Sequence, residues 1–169
     1  MSAALHIDAH GLQRAHAIAA AVVDPEIPVV TIADLGILRG VEMRGDTMIV
    51  RLTPTYTGCP AVLAIELSVE AALREAGFED VRIERVLAPA WSTDAITETG
   101  RAKLRAYGIA PPVEGGTGKG ALLFATETVA CPRCASTQTR RISEFGSTAC
   151  KALWRCDACR EPFDYFKCL

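Results

Sequence analysis

Four cysteines near the end of the chain have the spacing of a metal site. They form two C-x-x-C pairs, at 131–134 and 156–159, with 21 residues between the pairs. Two residues between cysteines allow both sulfur atoms of a tight turn to reach one ion, and two such turns complete a tetrahedral site. The spacing therefore predicts a structural Zn²⁺ bound by Cys131, Cys134, Cys156 and Cys159. Iron, as a single ion or in an iron–sulfur cluster, is the alternative, because thiolates bind both metals.

A lone cysteine, Cys59, lies between a glycine and a proline, directly before an apolar helical segment. Proline is favoured at the first helical position, so the sequence predicts that Pro60 opens the helix and that Cys59 is its N-cap residue. Unpaired amides and the positive end of the helix dipole would then favour a thiolate, which is both a nucleophile and a soft-metal ligand. The alternative is a buried cysteine that only packs.

The other two cysteines, Cys150 and Cys168, exceed the count of four ligands. They are either small buried side chains among the aromatic residues of the tail or a second pair of reactive thiols. Hydroxyl groups within residues 53–57 either surround Cys59 or only end a strand. Three acidic residues after the first predicted helix either shape turns or line a cleft with the lone thiol: Asp24, Glu26 and Asp34.

The sequence assembles no catalytic set. Its three histidines are His6, His10 and His16, and a helix face exposed to solvent explains all three. No combination of serine, histidine and aspartate, no glycine-rich phosphate loop and no carboxylate–histidine metal triad can be built from the motifs present. The sequence therefore predicts a protein that is not an enzyme.

Charge and hydropathy exclude two further classes. Residues 131–169 carry seven basic and four acidic side chains, and a zinc ion with four thiolates would lower this net charge of +3 to about +1. Such a tail is a poor ligand for nucleic acid. No apolar run reaches the length of a membrane span and no export signal is evident. We therefore expect a cytoplasmic protein whose cysteines bind metal or react rather than form disulfides.

Patterns of apolar residues predict the elements that position these side chains. Helical spacing and β-alternation indicate, in chain order, a helix over 9–23, a hairpin that turns at 44–46, a helix over 60–76, a strand over 81–88 and a helix over 94–107. This order is typical of an α+β fold, a small mixed sheet with flanking helices.

A linker divides the chain in this prediction. Prolines and glycines are concentrated at 110–120, where they oppose regular structure. We therefore predict an α+β domain in residues 1–112 and a zinc-ribbon-like β module in residues 113–169. A module of this size can barely build its own core, so the metal would supply much of its folding free energy.

Three segments resemble the iron–sulfur cluster assembly domain that SufT-type proteins share with the eukaryotic cytosolic cluster-targeting factors. They read DPEIPVVTIADLGILRGVEM, TPTYTGCP and LAPAWSTDAITETGRAKL, and they cover roughly residues 10–108. The tail is similar to the PaaD family of bacterial phenylacetate degradation in its motifs CPRC, SEFGSTACKALWRC, CDAC and EPFDYFKC. The order of the two domains matches that family along nearly the whole chain.

The resemblance implies an accessory protein that matures an iron–sulfur or diiron component of the phenylacetyl-CoA epoxidase, in the first place its ferredoxin-type reductase. It implies a reactive thiol at Cys59, with the family's aspartate at Asp34 and its threonine at Thr55. The implied cofactors are Zn²⁺ in the tail and a transient iron–sulfur cluster.

The implied partners are the oxygenase and reductase components of the epoxidase and the iron–sulfur assembly machinery, with neither nucleic acid nor membrane. A homodimer stays open. The alternative function is a non-catalytic structural or docking subunit of the oxygenase, in which the ribbon binds a partner through its aromatic residues and the thiol is incidental.

Overall fold

The structure is a computed structural model that describes residues 8–56, 58–112 and 128–167. Helices and two small sheets confirm the predicted α+β class. The chain divides into two compact units, Met1–Trp91 and Ser92–Leu169. The domain boundary after residue 112 stays a prediction, and most of the linker, from residue 113 on, lies outside the described residues. No helix among the described residues is long and apolar enough to cross a bilayer.

The first unit is a three-stranded mixed sheet with two helices. In chain order its elements are α1 (Ala9–Ala20), β1 (Leu38–Arg44), β2 (Thr47–Leu52), α2 (Ala61–Glu75) and β3 (Val81–Arg85). Strands β1 and β2 are antiparallel, β2 and β3 are parallel, and α2 makes the crossover between them. Because parallel strands end at the same edge of a sheet, the residues that follow β2 and β3 meet near the start of α2.

Helix α2 covers the sheet with one stripe of its surface. The buried residues of this helix recur every four positions, which is the spacing of a single helix face: Ala61, Ile65, Val69 and Leu73. The central strand β2 is buried on both of its faces, since the consecutive residues Met48, Ile49 and Val50 are each at most 2% exposed and side chains alternate along a strand.

Helix α1 ends at Ala20 instead of residue 23. The residues after it are extended, because the backbone N–H of Ile32 donates to the carbonyl of Val22 at 2.9 Å. An antiparallel bridge between Val23 and Thr31 continues this pairing. The chain between α1 and β1 is therefore held as a loop with its own backbone hydrogen bonds.

The second unit contains a short helical segment and a four-stranded sheet. In chain order its elements are a 3₁₀ turn (Thr93–Ala95), α3 (Glu98–Tyr107), β4 (Ile109–Ala110), β5 (Thr139–Ser143), β6 (Lys151–Cys156) and β7 (Pro162–Phe166). The strand order is β4-β7-β6-β5. Strand β6 is antiparallel to both β5 and β7, and β4 pairs in parallel with β7.

The helix predicted over 94–107 is divided into the 3₁₀ turn and α3. Thr97 separates them because its hydroxyl accepts a hydrogen bond from the backbone of Gly100 at 3.0 Å and so caps α3. The buried guanidinium of Arg101 donates to the carbonyl of Pro112 at 2.6 Å and to that of Thr93 at 2.9 Å. Through the side chain of Arg101, these bonds join the 3₁₀ turn to Pro112, which follows β4.

Trp91 holds a turn of the first unit in place. Its side chain is 7% exposed, and its indole Nε1 donates to the carbonyl of Leu35 at 2.8 Å. A Trp91→Phe substitution should lower the free energy of unfolding of this unit by about 1–3 kcal/mol, because the buried carbonyl loses its partner. Hydrogen exchange at the amides of β1 to β3 measures this loss.

Trp154→Phe is the matched control for that substitution. Trp154 is 6% exposed, and its Nε1 has no hydrogen-bond partner in the described part of the chain. The same loss of ring volume should therefore destabilise the second unit less. Equal losses in the two units would show that the hydrogen bond of Trp91 contributes nothing beyond packing.

Candidate functional site

Two tight turns bring the four predicted metal ligands together. The Sγ atoms of Cys131, Cys134, Cys156 and Cys159 all lie within 4.8 Å of one another. Cys131 and Cys159 are 3.8 Å apart, and Cys134 and Cys156 are 3.6 Å apart. A tetrahedral zinc ion with Zn–S bonds of about 2.3 Å places its sulfur atoms about 3.8 Å apart. The four thiols therefore fit Zn²⁺ with little rearrangement.

Local hydrogen bonds favour a thiolate at one of these positions. The backbone N–H of Cys159 donates to Sγ of Cys156 at 3.5 Å, and this bond lowers the pKa of Cys156 to about 7. The backbone N–H of Glu161 acts in the same direction on Cys159, but burial and the neighbouring thiols raise the pKa of Cys159 to about 12. Cys156 is therefore the favoured position for the first thiolate, and a bound cation would favour ionisation of Cys159 as well.

The two metal-binding turns have matching backbone geometry. The residue after each C-x-x-C pair is left-handed, with φ of 59° at Ala135 and 66° at Arg160. Glycine adopts this conformation without a steric cost, yet neither turn contains it. The backbone N–H of Ala135 donates to the carbonyl of Cys131 at 2.9 Å and closes the first turn.

Two of the four ligands are also part of the apolar core of the second unit. Cys131 is 2% exposed and Cys156 is 0% exposed. They are buried in one cluster with apolar residues of the second unit: Ala110, Val129, Ala152, Trp154, Phe163 and Tyr165. Metal binding and packing of this core are therefore coupled.

Cys59 lies in the turn that precedes α2, but it is not the N-cap residue. The N-cap is Pro60, which has helical dihedral angles (φ −67°, ψ −25°) and makes no side-chain capping bond. The predicted N-cap at Cys59 is therefore wrong by one residue. The physical reason is a tight first turn, in which the carbonyl of Cys59 accepts from the N–H of Val62 at 3.3 Å and the α-helical bonds begin only at Ala61.

Cys59 lines a small pocket near the edge where β2 and β3 end. The volume of this pocket is about 20 Å³, which is room for about one water molecule. Its lining residues are mainly apolar: Asp24, Ile37, Leu52, Pro54, Thr55, Cys59, Val62, Ile65 and Arg85. The pocket is therefore too small for an organic substrate.

Asp24 both shapes a turn and lines the pocket beside Cys59, which are the two roles predicted for the acidic residues after α1. Its Oδ1 accepts hydrogen bonds from the backbone N–H groups of Glu26 and Ile27, at 2.8 and 2.9 Å, which is turn chemistry. Asp24 is also 7% exposed and lines the pocket beside Cys59. Thr55 lines the same pocket, so the structure brings these two candidate residues to the thiol.

Asp34 lies in a neighbouring turn. Its Oδ2 accepts from the backbone N–H of Thr31 at 2.9 Å, and the hydroxyl oxygen of Thr31 accepts from the backbone N–H of Asp34 at 3.1 Å. This reciprocal pair resembles a helix capping box and holds the loop between α1 and β1. A direct role of Asp34 at the thiol stays a prediction.

Arg85 is a pocket residue that the sequence analysis missed. It is the last residue of β3, and its guanidinium donates to both carboxylate oxygens of Glu66 on α2. This paired carboxylate raises the pKa of Arg85, so a cation is held beside the thiol pocket. Alternation along the strand could have indicated Arg85 from the sequence, because Val81, Ile83 and Arg85 share the helix-covered face of β3.

The remaining candidates belong neither to the four-cysteine cluster nor to the lining of the pocket beside Cys59, or they lie outside the described residues. Cys150 is 6% exposed, and its Sγ lies 3.1 Å from the hydroxyl oxygen of Thr148; its role stays a prediction. His10 and His16 are exposed on α1, as expected for a solvated face. The candidates outside the described residues are His6, Thr57 and Cys168.

Comparison with known proteins identifies both parts of the chain. A family model described as PaaD zinc beta ribbon domain matches residues 116–167, and one described as iron–sulfur cluster assembly protein matches residues 17–85. A protein of Escherichia coli (strain K12), provisionally named as a component of 1,2-phenylacetyl-CoA epoxidase, is 51% identical over 146 residues, which are 86% of each chain. The chain belongs to the PaaD family. The resemblance inferred from the sequence motifs is thereby confirmed.

Two solved structures resemble part of this PaaD-family chain. A Bacillus anthracis domain of unknown function, DUF59, is 25% identical with a TM-score of 0.50, over 55% of this chain and 90% of that domain. A Mycobacterium tuberculosis protein described as associated with Fe–S complex assembly and repair is 36% identical with a TM-score of 0.36, over 63% of this chain and 92% of its own. The Bacillus anthracis structure supports the α+β fold.

Proposed function

We propose that this chain is an accessory factor that matures an iron–sulfur component of the phenylacetyl-CoA epoxidase system, with the ferredoxin-type reductase as its client. The iron–sulfur assembly model over residues 17–85 and the name of the Escherichia coli relative support this role. The observation that carries it is the thiol of Cys59, which is partly exposed directly before α2 and lines a pocket with Asp24 and Thr55. In this proposal the chain acts on another protein and is not itself an enzyme.

Cys59 acts in this proposal as a ligand that is exchanged. Its thiolate binds an iron atom of a cluster in transit, and a thiol of the client then replaces it. The bond between iron and Cys59 breaks as the bond between iron and the client sulfur forms. The proton that the client thiol loses goes to the departing Cys59 thiolate, so the iron and sulfide oxidation states do not change. Thr55 and Asp24 line the pocket beside the thiol, and so does Arg85, whose guanidinium is paired with the carboxylate of Glu66.

The ribbon has a structural part in this proposal. Four cysteine ligands close the coordination of Zn²⁺ and leave no position for a reacting group, so the ion stabilises the fold. Free thiols persist in a reducing compartment, which is why we place the protein in the cytoplasm. Its partners are then the client and the iron–sulfur assembly machinery, without nucleic acid or membrane.

One observation favours a second candidate, a docking subunit of the oxygenase. Phe145 is 61% exposed, and Nζ of Lys167 lies 4.4 Å from the centre of its ring. An aromatic side chain held in this way is a typical anchor at protein interfaces. In this alternative the ribbon binds the oxygenase and Cys59 is incidental.

Co-expression separates the two candidates. The reductase should contain iron and acid-labile sulfide when it is produced with this chain, and should lack both when it is produced alone. The purified oxygenase should contain none of the chain, because a maturation factor leaves its client. A reductase that acquires its full cluster alone, together with an oxygenase that retains the chain, would establish the docking role instead.

A further inference from the structure

Residues 92–112 lie between the parts of the chain that the two family models match. The iron–sulfur assembly match ends at residue 85, and the ribbon match begins at residue 116. The segment nevertheless has defined elements, the 3₁₀ turn, α3 and β4, and it belongs to the second unit. We call residues 92–112 the α3 segment. Its contacts within the second unit indicate what stabilises it.

Strand β4 joins the α3 segment to the ribbon. Its two residues pair with β7, where Ala110 lies opposite Tyr165. Ala110 is 1% exposed and is part of the apolar cluster that contains the metal ligands Cys131 and Cys156. The end of the α3 segment is therefore packed in the same core as two ligands of the predicted zinc site.

Arg101 connects helix α3 to both ends of the α3 segment. Its side chain is buried, and its guanidinium donates to the carbonyls of Thr93 before the helix and Pro112 after it. Helix α3 has 10 residues and contains Gly100, whereas isolated helices shorter than about 12 residues are marginal in water and glycine weakens them further. The helix therefore depends on contacts with the rest of its unit.

Arg101 also lies on one cavity with the first metal-binding turn. This cavity has a volume of about 420 Å³, and Cys131 and Ala135 of the turn line it together with Arg101. Among the described residues no carboxylate is paired with this guanidinium, which donates to two neutral carbonyls. A zinc ion bound by four thiolates is a net anion, and a buried cation is stabilised by a negative charge in its surroundings. The loaded site and Arg101 therefore favour each other.

We propose that the α3 segment belongs to the zinc-dependent fold and that Arg101 couples α3 to the metal site. Zinc orders the ribbon, including β7 and the apolar cluster, and these hold β4 in place. The carbonyl of Pro112 is then positioned to accept from Arg101, which fixes α3. Without zinc, β4 loses its partner strand and the helix loses the contacts on which it depends. The residues that directly follow Trp91 are thus ordered in the zinc-loaded chain alone, whichever client the chain serves.

The first test removes zinc from the full-length wild-type chain with a chelator and follows hydrogen exchange. We expect the amides of α3 and β6 to lose protection together, by about a hundredfold or more, and the amides of β2 to keep theirs. Added zinc should restore both. Protected α3 amides in a metal-free chain whose β6 amides exchange freely would overturn the proposal, and so would a loss of protection that includes β2.

The second test measures the zinc dissociation constant of an Arg101→Met variant by competition with a chelator. Methionine keeps an unbranched apolar stem but removes both hydrogen bonds and the charge. We expect zinc to bind about tenfold more weakly or worse, because stability lost from a segment that folds with the metal site is lost from metal binding. Arg105→Met is the matched control one turn later on α3. Arg105 is exposed and contacts Glu98 at 3.7 Å, so this variant should bind zinc within about twofold of the wild type.

The two measurements separate coupling from a structural role of Arg101 alone. If Arg101 only holds α3 in place, Arg101→Met should speed exchange at α3 and leave the zinc dissociation constant unchanged, which would overturn the proposal. An equal loss of zinc affinity in Arg105→Met would also overturn it, because the effect would then not belong to the buried guanidinium. If Arg101→Met does not accumulate as a folded protein, the chelator experiment on the wild-type chain decides the proposal.

Discussion

A Cys131→Ser variant is expected to lose its bound zinc and to unfold the ribbon strands, while the first unit stays folded. Structural zinc in small metal-dependent domains contributes about 10–16 kcal/mol of apparent binding free energy, which is also folding free energy. Cys131 is 2% exposed and belongs to the apolar core of the second unit, so its loss removes a ligand and a packing residue together. Elemental analysis gives the zinc content, and hydrogen exchange compares the amides of β6 with those of β2.

Cys150→Ser is the control for this prediction. It is the same substitution at a cysteine that is 6% exposed and lies next to the start of β6, but outside the cluster of four sulfur atoms. This variant should keep one zinc ion per chain and wild-type exchange at β6. Protected β6 amides in a metal-free wild-type chain would contradict the metal-dependent fold.

The zinc site could be predicted from the sequence because its determinants are local. Each C-x-x-C pair lies in one turn, and the turns need only a hairpin between them to meet. The left-handed backbone at Ala135 was harder to predict from the sequence, since alanine rarely adopts this conformation. It occurs here because the turn around the cysteines is closed by its own hydrogen bond.

The thiol pocket could be predicted only in part. The sequence indicated a cysteine directly before α2 but set the N-cap one residue early, because the first turn is tight and the carbonyl of Cys59 accepts from the N–H of Val62. Arg85 enters the pocket through a hydrogen-bonded pair with Glu66, 19 residues away. That pairing depends on the parallel crossover from β2 through α2 to β3, which no local pattern reveals.

The grouping of α3 with the second unit has a similar cause. The composition of residues 110–120 indicated a break in the chain. The hydrogen bonds of Arg101 to Thr93 and Pro112 tie α3 to the residues that flank it. The pairing of β4 with β7 is a contact between segments distant in sequence. A linker-like composition shows where the chain is irregular, but it does not show to which of the two units a neighbouring helix belongs.

A Cys59→Ser variant is expected to fold as the wild type and to fail in maturing its client. Cys59 precedes the N-cap, and α2 has no side-chain capping bond at its start, so exchanging sulfur for oxygen removes no bond from the helix. Serine is not ionised at neutral pH and is not a soft ligand, so the iron and sulfide content of the co-expressed reductase should fall by about tenfold or more.

Three comparisons make this prediction specific to the Cys59 thiol. Cys59→Ala should give the same loss of client cluster, because it also lacks the sulfur ligand. Cys150→Ser should mature the client as the wild type does, which separates the Cys59 thiol from a general need for cysteines. In the zinc-loaded chain, alkylation followed by peptide mapping should find Cys59 modified, since it is partly exposed, and the four ribbon thiols protected by the metal.

A Cys59→Ser chain that delivers a full cluster at the wild-type rate would reduce this cysteine to a packing residue. The activity would then have to be sought in the ribbon, at Phe145 and its neighbours, because the first unit would have lost the group on which its transfer role depends.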